Sequence, residues 1–329
     1  MQMTEVADSC LVHVQEFQTQ NTAGPRADGT LSQWCCEQLE DGRILHFESL
    51  PFDFPEEDRR FLISQRQGDS HLHKNISYRP KGDALRGFAP GEDGSVDRMH
   101  EVMRRYSRNT LQFLSRLLAP YASQWSLDYA SFRPEAEQGR KLPLHKRNDL
   151  LHIDAFPSRP TSGGRILRCF TNINPTEPRV WETTEPFPEL ARKYAYSAGL
   201  AHIADNGSAG LETVLRNFGR VLGFKAPVSS PYDKFMLRFH NYLKENSAFQ
   251  EHCGKVRLEF APGSTWISFT DAVPHAVIYG QYAVEQTVIV PLQALLRPEK
   301  SPLRTLENLV GRPLTLQGQA QGQVITAHA

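Results

Sequence analysis

Four short apolar runs crowd into the chain between residues 256 and 292: Val256–Phe260, Thr265–Phe269, His275–Tyr279 and Ala283–Leu292. Pro262-Gly263, Asp271 and Gly280 punctuate them. Short strands with turn residues this close together favour an antiparallel sandwich or barrel. Upstream, Arg165 to Asn174 reads as a ten-residue strand ended by Pro175, and Asp149-Leu-Leu-His-Ile-Asp-Ala-Phe as a shorter one.

Helical patterns surround these strands. Pro55 followed by Glu56, Glu57 and Asp58 opens one helix, because proline and acidic residues suit a first turn. Val96 to Ala119 carries Met99, Val102, Met103, Tyr106, Leu111, Leu114 and Leu117 at three- and four-residue spacings. Its Arg104, Arg105, Arg108 and Arg116 read as a solvated face. Glu189–Ser197, Ala209–Leu222 and Tyr232–Phe249 make up a helical insertion within residues 176–250. Leu39 to Phe47 reads as a turn feeding a short strand, and residues 66–95, rich in Gly, Asp and His, as a loop. The expected fold class is mainly β with helices: a double-stranded β-helix (jelly-roll, cupin-like) core flanked by N-terminal helices and a helical insertion. Residues 1–30 are expected to form a flexible N-terminus, 31–310 a single domain, and 311–329 a loose tail.

Charge narrows the function classes. Thirty-seven basic residues balance 37 acidic ones, so no global field attracts nucleic acid, and none is expected as a partner. Arginines outnumber lysines 27 to 10, which suits an anionic substrate, although codon bias produces the same excess. Five cysteines, with Cys35-Cys36 vicinal and no CxxC spacing, argue against a disulfide framework or a cysteine zinc site and for a reducing compartment. Met1 to Gln20 holds Glu5, Asp8 and Glu16 and no apolar core, so no secretory signal is expected. No run approaches the roughly 18 apolar residues of a membrane span. Any membrane contact is expected to be peripheral.

The chemistry is expected at His152-Ile153-Asp154. On a strand, His152 and Asp154 leave the same face while Ile153 packs behind them. With 12 His and 37 acidic residues, about one His-x-acid pair is expected by chance, and His46-Phe47-Glu48 is a second. Context separates the two. The stretch from Pro262 to His275 reads as turn, strand, loop, then a histidine opening another strand. That order is the distal half of a double-stranded β-helix metal site, which points to His152, Asp154 and His275 as a 2-His-1-carboxylate set for Fe(II). Between the halves, Ile166, Arg168, Phe170, Asn172 and Asn174 share one strand face. Arg168 there could clamp the distal carboxylate of 2-oxoglutarate, with Asn172 assisting. The window Ala283-Val-Glu-Gln-Thr-Val, where related oxygenases place a cation, has none, which leaves Gln286 or Thr287 to assist and Arg165 as the alternative clamp.

Asp149-Leu-Leu-His-Ile-Asp-Ala-Phe-Pro-Ser-Arg-Pro-Thr, followed by Gly-Arg-Ile-Leu-Arg-Cys-Phe-Thr-Asn-Ile-Asn-Pro, resembles the Kdo hydroxylases. The resemblance extends through Tyr232-Asp-Lys-Phe-Met-Leu-Arg-Phe-His-Asn-Tyr-Leu and Pro274-His-Ala-Val and covers roughly residues 35–310. It implies an Fe(II)/2-oxoglutarate dioxygenase, with O2 as co-substrate and ascorbate as reductant. The implied reaction is hydroxylation of carbon 3 of 3-deoxy-D-manno-oct-2-ulosonic acid (Kdo) in the lipopolysaccharide inner core, giving Ko. The partner would be a Kdo-containing lipid A precursor, met by a cytoplasmic enzyme peripherally at the inner membrane. Arg79, Lys81, Arg159, Arg238 and His240 are candidate acceptor contacts. Two other readings stay open: an iron oxygenase or cupin-type isomerase with another acceptor, and a catalytically silent cupin-like binding module.

Overall fold

A computed structural model describes residues 10–14, 29–66, 75–88, 95–206 and 229–316. Its strands are β1 (Leu11–His13), β2 (Ile44–Phe47), β3 (Ile76–Arg79), β4 (Ala84–Arg86), β5 (Ser126–Arg133), β6 (Arg165–Asn172), β7 (Arg179–Thr183), β8 (Val256–Phe260), β9 (Thr265–Phe269), β10 (His275–Tyr279) and β11 (Ala283–Val290). Its helices are α1 (Gly29–Glu40), α2 (Glu56–Ser64), α3 (Ser95–Leu117), α4 (Ala119–Ala122), α5 (Phe187–Tyr194), α6 (Leu200–Asn206), α7 (Pro231–Glu245), α8 (Ser247–His252) and α9 (Pro302–Val310).

The strands form two sheets, ordered β1-β2-β9-β6-β11-β5-β3-β4 and β10-β7-β8. Every pairing is antiparallel except the parallel β1–β2 edge. Aromatic side chains fill the space between the sheets. Phe170, Trp181, Phe260 and Trp266 interlock there, with the Phe260 and Trp266 rings stacked at 4.0 Å and 7°. This plug closes one end of the barrel and leaves the other end for chemistry. Outside the large sheet, α3 turns Met99, Val102, Met103, Tyr106, Phe113, Leu114 and Leu117 onto Phe132, Leu167, Cys169, Val284 and Val288. The opposite flank packs Phe187, Leu190, Phe235, Phe239 and Phe249 around Leu151 and Ile153.

Several expectations need revision. The stretch around His152 is extended but makes only a single bridge, to His275 of β10. Its outward backbone groups bond to helix side chains instead: Gln250 pairs with both Leu151 backbone groups, and His240 Nδ1 donates to the Ile153 carbonyl. The region read as a loop contains β3 and β4 within residues 75–88, because Ile76 and Tyr78 alternate into the core beneath α3. Residues 176–250 begin with β7, the centre of the small sheet, before the helices start. The single helix expected over Tyr232–Phe249 breaks at Asn246, whose side chain caps α8 by accepting from the Phe249 amide. Residues 11–13 of the expected flexible N-terminus form an edge strand. The helix expected at 209–222 and most of the loose tail lie outside the described residues.

Candidate active site

His152, Asp154 and His275 meet at the open end of the barrel. Their ligand atoms lie within 4.8 Å of one another, and no other such cluster of three occurs among the described residues. Main-chain bonds set the geometry. His152 and His275 exchange both backbone hydrogen bonds, and the Asp154 amide donates to the Thr270 carbonyl, so the near segment lies directly beside β10. The tautomers follow from acceptors that cannot donate. His152 Nδ1 donates to the Leu150 carbonyl at 2.7 Å and His275 Nδ1 to the Val273 carbonyl at 2.9 Å. Each imidazole therefore turns a lone pair on Nε2 inward, 3.8 and 4.0 Å from the Asp154 oxygens. Burial lowers the pKa of both rings and keeps them neutral. Burial alone would raise Asp154, yet the Arg168 guanidinium holds it well below the usual carboxylate range. Asp154 Oδ2 is buried without a hydrogen-bond donor. Two neutral imidazoles and an ionised carboxylate with an orphaned oxygen fit a divalent cation.

His152 and Asp154 open into a cavity of about 660 Å³. Arg168 lines it, with Nε 3.3 Å from Asp154 and Nη1 3.4 Å from both Glu285 oxygens. Arg133 donates to the same Glu285 carboxylate at 2.8 Å. Opposite stands α7, presenting Leu237, His240, Asn241 and Lys244. Burial lowers Lys244 to about 8, and its ammonium donates to the His145 carbonyl. A β-bulge shapes the third wall: Gln286 pairs with Ala130 but Val288 with Leu127, so Asp128 and Tyr129 both face inward.

Not every sequence candidate arrives here. Arg159 lines the cavity and pairs with Asp128 at 3.2 Å. His240 lies 5.0 Å, ring to ring, from His152. Asn172 does not reach the site, because its amide donates to the Glu177 and Phe260 carbonyls near the closed end. Gln286 points the other way and accepts from Ser107 of α3. Arg165 is spent on Asp271 and stacks on Phe269. Arg238 pairs with Glu245 on the exposed side of α7. His46 faces His13 and Phe260, while Glu48 is exposed, and among the described residues these groups do not gather their ligand atoms around one point. Arg133, Glu285, Tyr129 and Lys244 were missed. Glu285 and Thr287 alternate with Gln286 on β11, and Lys244 follows His240 by four residues on a helix; those periods were the available signals.

A cupin-like barrel with a buried two-histidine, one-carboxylate cluster is the construction of mononuclear non-haem iron oxygenases. A family model described as 3-deoxy-D-manno-oct-2-ulosonic acid (Kdo) hydroxylase matches residues 8–313. The chain belongs to the Kdo hydroxylase family. Among solved structures it is similar to the Kdo hydroxylase KdoO, a non-haem Fe(II) alphaketoglutarate-dependent dioxygenase, in complex with alphaketoglutarate and Fe(III). Identity there is 32%, over 95% of this chain and 99% of that one, with a TM-score of 0.75. The cobalt(II) complex of KdoO gives 32% identity over 96% and 100% of the two chains and a TM-score of 0.77. Its complex with succinate and Fe(III) gives 32%, the same coverage and 0.75. No curated protein sequence matches. Among the described residues, no helix is long and apolar enough to cross a membrane.

Proposed function

We propose that this chain is an Fe(II)/2-oxoglutarate-dependent dioxygenase that hydroxylates carbon 3 of Kdo in the lipopolysaccharide inner core, converting Kdo to Ko. The observation that carries the reading is the pair of inward Nε2 lone pairs facing the ionised Asp154 beside a polar cavity. His152, Asp154 and His275 would hold Fe(II) on one face and leave the other positions for 2-oxoglutarate and O2. Fe(II) held there would supply the chemistry by which O2 oxidatively decarboxylates 2-oxoglutarate to succinate and CO2, one oxygen atom entering succinate and the other a C–H bond of the acceptor.

The protein's own groups bind, orient and exclude. Arg168 would pair with the far carboxylate of 2-oxoglutarate; it lines the cavity, and its Nε is buried without a hydrogen-bond acceptor. Glu285 holds Arg168 and Arg133 in place, and both guanidinium groups keep Glu285 ionised against the effect of burial. Lys244 and Arg159 face the remaining space, where cations suit the carboxylate on carbon 2 of Kdo, next to carbon 3, and His240, kept neutral by burial, lines it beside them. Stacking of Trp181 on His275 (4.8 Å, 21°) shields the distal ligand from water. Residues 31–310 act as one catalytic domain, in the cytoplasm and peripherally at the inner membrane, where a Kdo-containing lipid A precursor is presented. Ascorbate keeps the iron reduced.

Purified protein given Kdo-lipid A, Fe(II), 2-oxoglutarate and ascorbate is expected to release succinate and add one oxygen atom to the sugar, read by mass spectrometry. Oxygen on an acyl chain, or succinate without a modified glycolipid, would reject Kdo as the acceptor.

A further inference from the structure

The turn that joins β9 to β10, residues 270–274, carries the backbone that sets two of the three candidate ligands. Its Thr270 carbonyl accepts the Asp154 amide at 2.8 Å, and its Val273 carbonyl takes the His275 Nδ1 proton at 2.9 Å. Within the turn, the Ala272 and Val273 amides both donate to the Phe269 carbonyl. The Pro274 carbonyl accepts from Thr183 Oγ1 of β7, which ties the turn to the small sheet.

One exchange of hydrogen bonds makes the Thr270 carbonyl available. β9 runs antiparallel to β6 with Leu167 opposite Phe269, so Ile166 stands opposite Thr270. Residues directly opposite in a hydrogen-bonded antiparallel pair donate to each other's carbonyls. Here only half of that pair forms. The Thr270 amide donates to the Ile166 carbonyl at 3.0 Å, but the Ile166 amide donates to Asp271 Oδ1 at 3.2 Å. The Asp271 carboxylate thus replaces a main-chain acceptor, and the carbonyl it relieves is the one that holds Asp154.

Arg165 keeps that carboxylate in place. Its Nε donates to Asp271 Oδ2 at 2.8 Å, and its guanidinium carbon lies 4.0 Å from the Phe269 ring centroid. Both members of the pair are buried, and Arg165 Nη1 is buried without an acceptor. As a source of stability such a pair is poor, since desolvation of both charges offsets their attraction and one donor is left unmet. Its effect is geometric, because it fixes a turn whose carbonyls place Asp154 and orient His275. Neither residue belongs to the ligand cluster.

We propose that Asp271 and Arg165 are positioning residues for a divalent-cation site, acting through the Thr270 and Val273 carbonyls rather than by contact with the ion. Without Asp271, the Ile166 amide turns to the Thr270 carbonyl and competes for it with the Asp154 amide. Asp154 then loses its fixed place opposite the two imidazole Nε2 atoms. The proposal rests on the reading of His152, Asp154 and His275 as a metal-ligand set.

Co(II) titration of the metal-free full-length protein tests it, read as visible d–d absorption, with urea midpoints taken before metal is added. The decisive variant is R165M/D271L. Replacing a buried ion pair with apolar side chains of similar volume often leaves stability unchanged, so this variant is expected to keep its urea midpoint. It is expected to bind Co(II) about 10- to 100-fold more weakly, the usual cost of removing a group that orients a metal ligand, and to shift the d–d bands. Asp271→Asn keeps an acceptor for the Ile166 amide and is expected to fall between the double variant and wild type. A folded double variant with wild-type affinity and wild-type bands overturns the proposal, because a purely structural pair would leave the site as it was. If the double variant does not fold, Asp271→Asn carries the test alone. It lacks the charge that holds the carboxylate to Arg165, and wild-type affinity there overturns the proposal. Wild-type protein that takes up no Co(II), or His275→Ala that takes it up equally well, would reject the ligand set itself and the proposal with it.

Discussion

At the scale of single residues, hydrogen bonds decide what each candidate can do. His152 and His275 are usable as ligands because backbone carbonyls take their Nδ1 protons. Replacing His275 with Ala is expected to reduce bound iron to background, measured by metal analysis, with the far-ultraviolet circular dichroism unchanged. Retention of full iron content would move the third ligand to His240, the nearest other imidazole to His152. Arg168 is a different case, since it touches both a proposed ligand and Glu285. Removing one side of a buried charge pair costs about 3–5 kcal/mol. Arg168→Ala is therefore expected to raise the Michaelis constant for 2-oxoglutarate at least about 100-fold, at the rate of tenfold per 1.4 kcal/mol. Arg168→Lys should recover part of that loss. An unchanged constant in the alanine variant would place the cosubstrate's far carboxylate elsewhere.

At the scale of elements, the β10–β11 turn controls how the distal histidine meets the rest of the site. Gly280 has φ +98°, and a Cβ there would come within 2.7 Å of the Pro178 carbonyl oxygen and 2.9 Å of the Arg179 Cα. Both neighbours are backbone, so neither can rotate away. Arg179 also donates to the Gly280 carbonyl, which ties the turn to β7. Gly280→Ala is expected to destabilise the protein by about 2 kcal/mol or more, read as a lower urea midpoint. An unchanged midpoint would show that the turn relaxes without strain. β6 was legible by face from its alternation. Its interior face bends into two uses, though, with Arg168 in the cavity and Asn172 spent on carbonyls near the aromatic plug. Strand period alone assigns a face and says nothing of depth along it.

At the scale of the whole molecule, burial of histidines makes stability depend on pH. His46 and His240 are both lowered to about 4, by burial first and by His13 or Lys244 next. An unfolded chain takes up these protons near pH 6.5, whereas the folded one resists until about pH 4. The unfolded state binds more protons throughout that window, so stability is full above pH 6.5 and declines as pH falls toward 4. Thermal midpoints measured across pH 4–8 are expected to drop below pH 6.5, and less so in His240→Gln. A flat profile would mean that these rings protonate in place. The primary structure determined much of this protein by itself. Short strands with close turns dictate an antiparallel barrel, and His152-Ile-Asp154 with Pro274-His275 supplies a ligand set, because strand alternation and turn chemistry are local properties. The rest only the tertiary structure decided. Which arginine stands beside Asp154, where Gln286 points, and how a bulge turns Tyr129 and Asp128 inward together depend on pairing between segments far apart in the chain. Register and depth are settled by which partner occupies the neighbouring strand, and no local pattern encodes that partner.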